Sequence, residues 1–331
     1  MIARLYSEES KPPIRPLNPA RDFGQLADLI ENAFGEELSD GGTKVLREIR
    51  FLSRLGPLNY LLYGTGSELD SIFSGFVWEH DGRIVGNVSL NRAGGRGSRW
   101  QISNVAVLDR FRRQGIGKEL MEAALDFIAS RGGEVVYLYV REDNEPALHL
   151  YRELGFAELE RLSELELLPQ HRSLPQGLEL LHPLKAAEQP ALYELVRVAE
   201  GPGQRWLGRA QRRRYVMTAD ERLLKWLGGL FTGEHETRWV VAGATGLDAA
   251  VVLQSTHLWN LRPHRLRLWV YPSRRGDLEE QLASDVMRLL SWQPARPTWA
   301  SLPASEWRAT TALVSEGFRL VRTLILMRRQ L

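Results

Sequence analysis

The 331-residue sequence predicts an α+β protein made of two tandem domains, each a mixed, largely antiparallel sheet flanked by helices. Three observations predict it. Strand-length apolar runs alternate with helix-period runs along the chain. The dipeptide Asp81-Gly82 stands between two such apolar runs, which is a hairpin signal and therefore a signal of antiparallel pairing. The pattern also occurs twice. Pro16-Leu17-Asn18-Pro19-Ala20-Arg21 and Pro183-Leu184-Lys185-Ala186-Ala187-Glu188 each lead into a helix-period segment. Leu154-Gly155-Phe156 plus a strand is echoed by Glu316-Gly317-Phe318 plus a strand. A repeat of half the chain is a duplicated domain, since solenoid units run to only ~20 to 50 residues. The domains are expected at 1–170 and 171–331, joined through Pro169 to Gly177, a stretch rich in Pro, Gln, Ser and Gly.

The first copy reads in order as follows. Ile14 to Leu17 is a strand. Ala20 to Phe34 is a helix, because Leu26, Leu29, Ile30 and Phe34 share one stripe, and Thr43 to Leu55 is a second helix. Phe76-Val77-Trp78 pairs with Ile84-Val85 across the Asp-Gly turn, and Trp100 to Val107 adds a third antiparallel strand. Leu120 to Ser130 is helical. Val135 to Val140 is uniformly apolar, as a buried parallel strand should be. Asn144-Glu145-Pro146 opens a short helix with a capping side chain and an early proline, and a final strand runs to Leu168.

Composition narrows the chemistry. At 44% hydrophobic and 25% charged residues the chain is of ordinary globular type. The absence of cysteine excludes disulfides, thiolate metal sites and a cysteinyl covalent intermediate, and no metal is expected. Met1 to Pro13 lacks an apolar core of signal-peptide length, and no run reaches the ~18 residues of a membrane span, so the chain is read as cytoplasmic with no membrane partner. Residues 1–170 carry 20 Lys and Arg against 26 Asp and Glu, whereas 171–331 carry 23 against 15, giving −6 and +8. Opposite signs suit two halves that attract each other. The densest basic cluster, Arg209 with Arg212, Arg213 and Arg214, has one aromatic neighbour, Tyr215, and no nucleic acid is expected as a partner.

The most informative segment is Arg112-Arg113-Gln114-Gly115-Ile116-Gly117-Lys118, between the strand ending Val105-Ala106-Val107 and the helix from Leu120. Two glycines let the backbone approach a ligand and aim successive N–H groups at it. The positive helix start and the flanking cations favour phosphate oxygens, so a pyrophosphate is the expected occupant. A dinucleotide fingerprint needs a third glycine where Leu120 stands. A nucleotide-triphosphate loop needs Gly at 112 and a hydroxyl at 119, where the chain has Arg112 and Glu119.

What remains is Arg112-x-x-Gly115-x-Gly117. Together with Ser103-Asn104-Val105-Ala106-Val107, Val135 to Val140, and Asn144-Glu145-Pro146-Ala147-Leu148-His149-Leu150-Tyr151-Arg152-Glu153-Leu154-Gly155-Phe156, it resembles the GNAT superfamily of acetyl-CoA-dependent N-acyltransferases, from roughly Ile14 to Leu168. The resemblance implies acetyl-CoA as cosubstrate, bound by the main chain of Val105, Ala106 and Val107, by Arg112, Arg113, Gln114, Gly115, Ile116, Gly117 and Lys118, and by Asn144 and Tyr151. It implies that the strand at Val105 and Val107 splays from its neighbour to hold the pantetheine arm and polarise the thioester. Tyr151 is then the general acid toward the departing thiolate. Relatives place a Glu base on the strand before the loop, where this chain has Arg99, Gln101 and Ser103. Glu79 and His80 at the hairpin tip, and Glu142 at the end of the central strand, are the substitutes, acting through water.

The second copy departs at the corresponding loop, Tyr271-Pro272-Ser273-Arg274-Arg275-Gly276-Asp277-Leu278. It has one glycine, and Asp277 stands where a diphosphate would sit, so this copy is expected to be a degenerate acyltransferase fold. The expected activity is transfer of acetyl to a primary amine, a small amine or a peptide N-terminus, by direct attack without a covalent enzyme intermediate. The alternative is a non-catalytic acyl-CoA sensor or scaffold. A fused pair is expected as a monomeric pseudo-dimer or as a homodimer.

Overall fold

The computed structural model describes residues 13–34, 74–93, 98–169, 177–208, 212–218, 220–221, 233–257 and 262–331. The helix expected at Thr43 to Leu55 and most of the linker lie outside them. Two compact units emerge. One comprises Met1–Tyr139, Pro146–Ala157 and Met327–Leu331, and the other Val140–Glu145 and Glu158–Leu326.

In the first unit, β1 (Ile14–Pro16), β2 (Gly75–His80), β3 (Arg83–Arg92) and β4 (Arg99–Val107) pair antiparallel in that order, and β5 (Val135–Arg141) joins β4 in parallel. The hairpin turn between β2 and β3 is made by Asp81 at φ 48° and Gly82 at φ 75°. Positive φ at both central residues is the type I′ geometry that matches strand twist, and Asp-Gly is the pair that tolerates it. Helix α1 (Pro19–Phe34) buries Phe23, Leu26, Leu29 and Ile30 against Val77, Ile84 and Ala106. Each such side chain contributes about 1.5–3 kcal/mol of transfer free energy. Helix α2 (Ile116–Ser130) buries Leu120, Met121, Ala124, Leu125 and Ile128 along one stripe. It seats closely because β3 carries Gly86: a Cβ there would lie 2.9 Å from Leu120 Cδ1 and 3.1 Å from Ile116 Cγ2. The short helix α3 (Glu145–Glu153) carries the buried Leu148 and Tyr151.

In the second unit, β6 (Ala157–Leu167) pairs antiparallel with β11 (Thr298–Pro303), and β11 runs parallel to β10 (His264–Val270). Then β9 (Leu247–Thr256), β8 (Glu234–Ala242) and β7 (His182–Pro183) follow antiparallel, and β12 (Arg319–Gln330) flanks β6 on its other edge. The helices are α4 (Gln189–Ala199), α5 (Pro202–Trp206), α6 (Arg212–Tyr215), α7 (Glu279–Ser291) and α8 (Trp307–Ser315). Leu165, Val251, Leu268, Leu282, Val286, Ala300 and Phe318 fill its core.

Compactness divides the molecule differently from the boundary expected at 170/171. From Glu158 onward β6 counts with the second unit, and residues 327–331 count with the first. There the Leu331 amide donates to the Glu134 carbonyl at 2.8 Å and Arg329 donates to the Leu154 carbonyl at 2.6 Å.

Candidate active site

Strand β4 makes two departures from regular pairing. Against β3, Asn87 faces Ala106 whereas Ser89 faces Ser103, so Val88 opposes two residues of β4 and the ladder bulges there. Asn104 sits in the bulge at φ 51°, a left-handed conformation that Asn tolerates better than most residues. Against β5, pairing covers only Arg99 to Gln101 with Val135 to Tyr137. Beyond that point β4 separates from β5, and its main chain through Val105 and Val107 is released on that edge.

From Val107 the chain passes through a 3₁₀ turn, Asp109–Phe111, into the loop. Arg113 takes φ 60° and Gly115 φ 87°, and Gly115 caps α2. Helix α2 therefore begins at Ile116, inside the glycine motif and four residues before the apolar stripe shows itself in sequence. The first amides of a helix have no intrahelical acceptor. Among the described residues none accepts from the amides of 114 to 118, and the first loop bond is Glu119 N–H to the Gly115 carbonyl at 3.0 Å. The two glycines divide the work. Gly115 is required by its positive φ. At Gly117 a Cβ would meet Leu150 and Val107 at 3.7 and 3.9 Å, ordinary contact distances, so the fold itself has room for a side chain there.

The loop side chains differ in availability. Arg112 folds back, donating through Nε to the Val107 carbonyl at 3.1 Å and pairing with Asp109 at 2.8 Å, so it braces the turn and occupies one of the main-chain acceptors expected to meet pantetheine. Gln114 donates to the Arg110 carbonyl. Lys118 pairs with Glu153 of α3 at 2.7 Å, which raises its pKa. Both members are half-exposed, so a phosphate can compete for the ammonium at small cost. Arg113 is exposed with no side-chain partner among the described residues.

Tyr151 is 6% exposed and packs at a tilt against Phe156, ring centroids 6.0 Å apart. Burial pushes its pKa up to about 12. No hydrogen bond to its hydroxyl falls among the described residues, so the phenol stays protonated and uncommitted.

The carboxylates expected as bases are tied elsewhere. Glu79 stands at a β2 bulge, held by Arg15 at 2.6 Å and by Arg21 at 2.9 Å, and the Arg15 hydrogen bond lowers its pKa despite partial burial. Arg15 is also clamped by the buried Asp22 of α1. Two guanidinium partners disfavour the proton uptake that the base expected at Glu79 would perform. His80 stacks edge-on against Phe111 at 5.2 Å. Glu142 and Asn144 fall in the second unit, where Arg161 pairs with Glu142 and the Glu142 amide donates to the Thr323 carbonyl at 2.9 Å.

Sequence reasoning missed one polar group. Asn87 and Ser89 are wholly buried in β3 and meet Asn104 in the bulge, Asn87 donating to the Asn104 carbonyl at 3.0 Å. The available signal was two polar residues inside an otherwise apolar strand.

In the second unit the equivalent loop is filled from within. Gly276 takes φ 100°, and its amide donates to both oxygens of the Glu279 carboxylate at 2.9 and 2.7 Å. The Leu278 amide donates to the same group at 3.2 Å. Asp277 pairs with Arg274, which also pairs with Asp248.

In the first unit β4 thus leaves β5 beyond Gln101 and runs into an open, glycine-capped helix start. Residues 47–156 match the Acetyltransferase (GNAT) family model. An N-alpha-acetyltransferase of Sulfurisphaera tokodaii is 33% identical over 117 residues, covering 32% of this chain and 70% of that protein. Further curated relatives match over 59% of their own length or less. The chain belongs to the GNAT acetyltransferase family and is an acyltransferase. Two solved structures share its fold over nearly the whole length. A GCN5-related N-acetyltransferase from Sphaerobacter thermophilus has TM-score 0.61 at 17% identity, covering 97% of this chain and 96% of that one. A tandem GNAT protein from the clavulanic acid biosynthesis pathway has TM-score 0.54 at 15% identity, covering 96% and 98%. The fold is thus α+β with tandem GNAT domains. Among the described residues, no group of three His, Asp or Glu is placed to hold a metal, and no helix is long and apolar enough to cross a membrane.

Proposed function

We propose that the first unit transfers an acetyl group from acetyl-CoA to a primary amine by direct attack. The observation that carries this reading is the run of amides from 114 to 118 without an internal acceptor, directly after a strand released from its neighbour. The amides and Arg113 suit a diphosphate, and the bare backbone at Gly117 gives it room to approach. The released β4 main chain suits the pantetheine arm and the thioester oxygen.

In this mechanism the neutral amine attacks the carbonyl carbon, the C–S bond breaks, and the departing thiolate takes the Tyr151 proton, while the amine nitrogen gives its proton to water and water returns one to Tyr151. With its pKa pushed up to about 12, the phenol carries its proton throughout the neutral range and is available as a donor. With Glu79 clamped by two arginines, a water relay to solvent is the favoured proton exit. The N-alpha-acetyltransferase relative and the −6 charge of residues 1–170 support a cationic acceptor such as a peptide N-terminus or a small amine.

The test is titration with acetyl-CoA followed by thiol release with a panel of amines and N-terminal peptides. Turnover with at least one acceptor, reduced in Tyr151→Phe, is expected. Binding without turnover on every acceptor would favour the sensor.

A further inference from the structure

We propose that Asn87 is a positioning residue for the transfer: its side chain locks the left-handed turn at Asn104 and so aims the released β4 main chain at the acyl carbonyl. This rests on the reading above that β4 handles the thioester. Asn87 lies in the middle of β3 with no exposed surface. Its Nδ2 donates to the Asn104 carbonyl at 3.0 Å and to Ser89 Oγ at 3.3 Å, and Asn104 Nδ2 donates to the same hydroxyl at 3.3 Å. These three side chains meet where β3 and β4 slip by one residue and where Asn104 holds φ 51°.

The cluster is costly to the fold. Asn87 Oδ1 is buried without a hydrogen-bond partner, and a buried unpaired acceptor destabilises a core that an aliphatic residue would fill without loss. A residue that burdens the core while holding a strained turn beside a reactive strand fits a functional demand better than a packing one.

The second unit supplies an internal control. Its β9 reads Ala249-Ala250-Val251-Val252-Leu253, with no polar residue at mid-strand, and pairing with β10 runs unbroken from Arg265 opposite Gln254 to Val270 opposite Ala249. Where the polar cluster is lacking, so is the bulge.

The experiment uses the full chain loaded with acetyl-CoA labelled with ¹³C at the carbonyl, comparing wild type, Asn87→Ala and Asn87→Ala/Asn104→Gly by NMR and steady-state kinetics. Bound to wild type, the carbonyl resonance is expected downfield of its free position. In Asn87→Ala it should move back toward the free value and kcat should fall about tenfold to a hundredfold, with CoA affinity within about twofold because the diphosphate loop is untouched. Glycine at 104 takes positive φ without a clamp, so the double variant should recover both signals. Asn87→Ser provides the same comparison should Asn87→Ala not fold. An unchanged resonance and kcat in the single variants would overturn the proposal, as would loss of CoA affinity that Asn104→Gly does not restore. A wild-type resonance left unshifted with acetyl-CoA bound would instead refute the thioester reading on which the proposal stands.

Discussion

In the first unit β4 passes through Asp109–Phe111 and Gly115 into α2; in the second, β10 passes through Pro272–Arg274 and Gly276 into α7. Both turns place a glycine at positive φ, and both helices bury an apolar stripe. The difference lies in what satisfies the helix-start amides. The buried Glu279 carboxylate accepts them in the second unit, while those of 114 to 118 have no acceptor among the described residues of the first. Glycine and the stripe suffice to build the turn. Ligand capacity is a separate property, decided by whether the chain supplies its own anion.

The strongest way to break this comparison is to give the first loop the second loop's chemistry. Gly117→Asp sets a carboxylate where the diphosphate is proposed to bind, and like charges in contact cost several kcal/mol. Acetyl-CoA affinity should fall by more than about a hundredfold in calorimetry. Because a Cβ at 117 meets only ordinary contacts, thermal unfolding should be nearly unmoved, and unchanged affinity would remove the basis for the proposed site.

Next in size is Tyr151→Phe, expected to lower kcat about a hundredfold with little change in the KM for acetyl-CoA. Wild-type kcat should also show no alkaline decline until pH nears the phenol's value of about 12. An alkaline fall near pH 8 or 9 would assign the acid to another group.

The reciprocal change is Glu279→Ala. Loss of a buried cap that accepts from two amides should cost about 1–3 kcal/mol of stability in denaturant titration. Binding should remain at one acetyl-CoA per chain, since Asp277 still guards the second turn. Two equivalents would show that Glu279 alone closes it.

The smallest effect expected is that of Glu79→Gln. Its half-exposed ion pairs are worth at most about 1 kcal/mol, and kcat should be unchanged. The Arg15 hydrogen bond holds the carboxyl below the ordinary carboxylate value, so the stabilisation is present above that ordinary value and is lost as pH falls through the lower, folded-state value. The variant should match wild type in acid and fall below it near neutrality. A large drop in kcat would return Glu79 to the catalytic machinery.

The sequence made the local features legible. The Asp81-Gly82 hairpin, the stripes of α1 and α2, the apolar β5 and the glycine loop each depend on neighbouring residues, and each stands where expected. Three features are not announced by the residue types around them. The clamp on Glu79 draws Arg15 from the adjacent β1 and Arg21 from α1, both some sixty residues earlier in the chain, and nothing near residue 79 announces it. The bulge needs Asn104 at positive φ, which an Asn permits without requiring. Glu279 as a cap is masked in sequence by its place on an ordinary acidic helix start. The grouping of β6 with the second unit and of residues 327–331 with the first was equally hidden, since a strand's period fixes its faces and leaves its neighbours unspecified.

That grouping bears on the timing of folding in the cell. The first unit includes residues 327–331, which leave the ribosome long after Ala157. The nascent first unit therefore lacks those residues until positions 158–326 have been made. An unpaired strand edge recruits foreign strands, so this interval of translation is one in which misassembly can start.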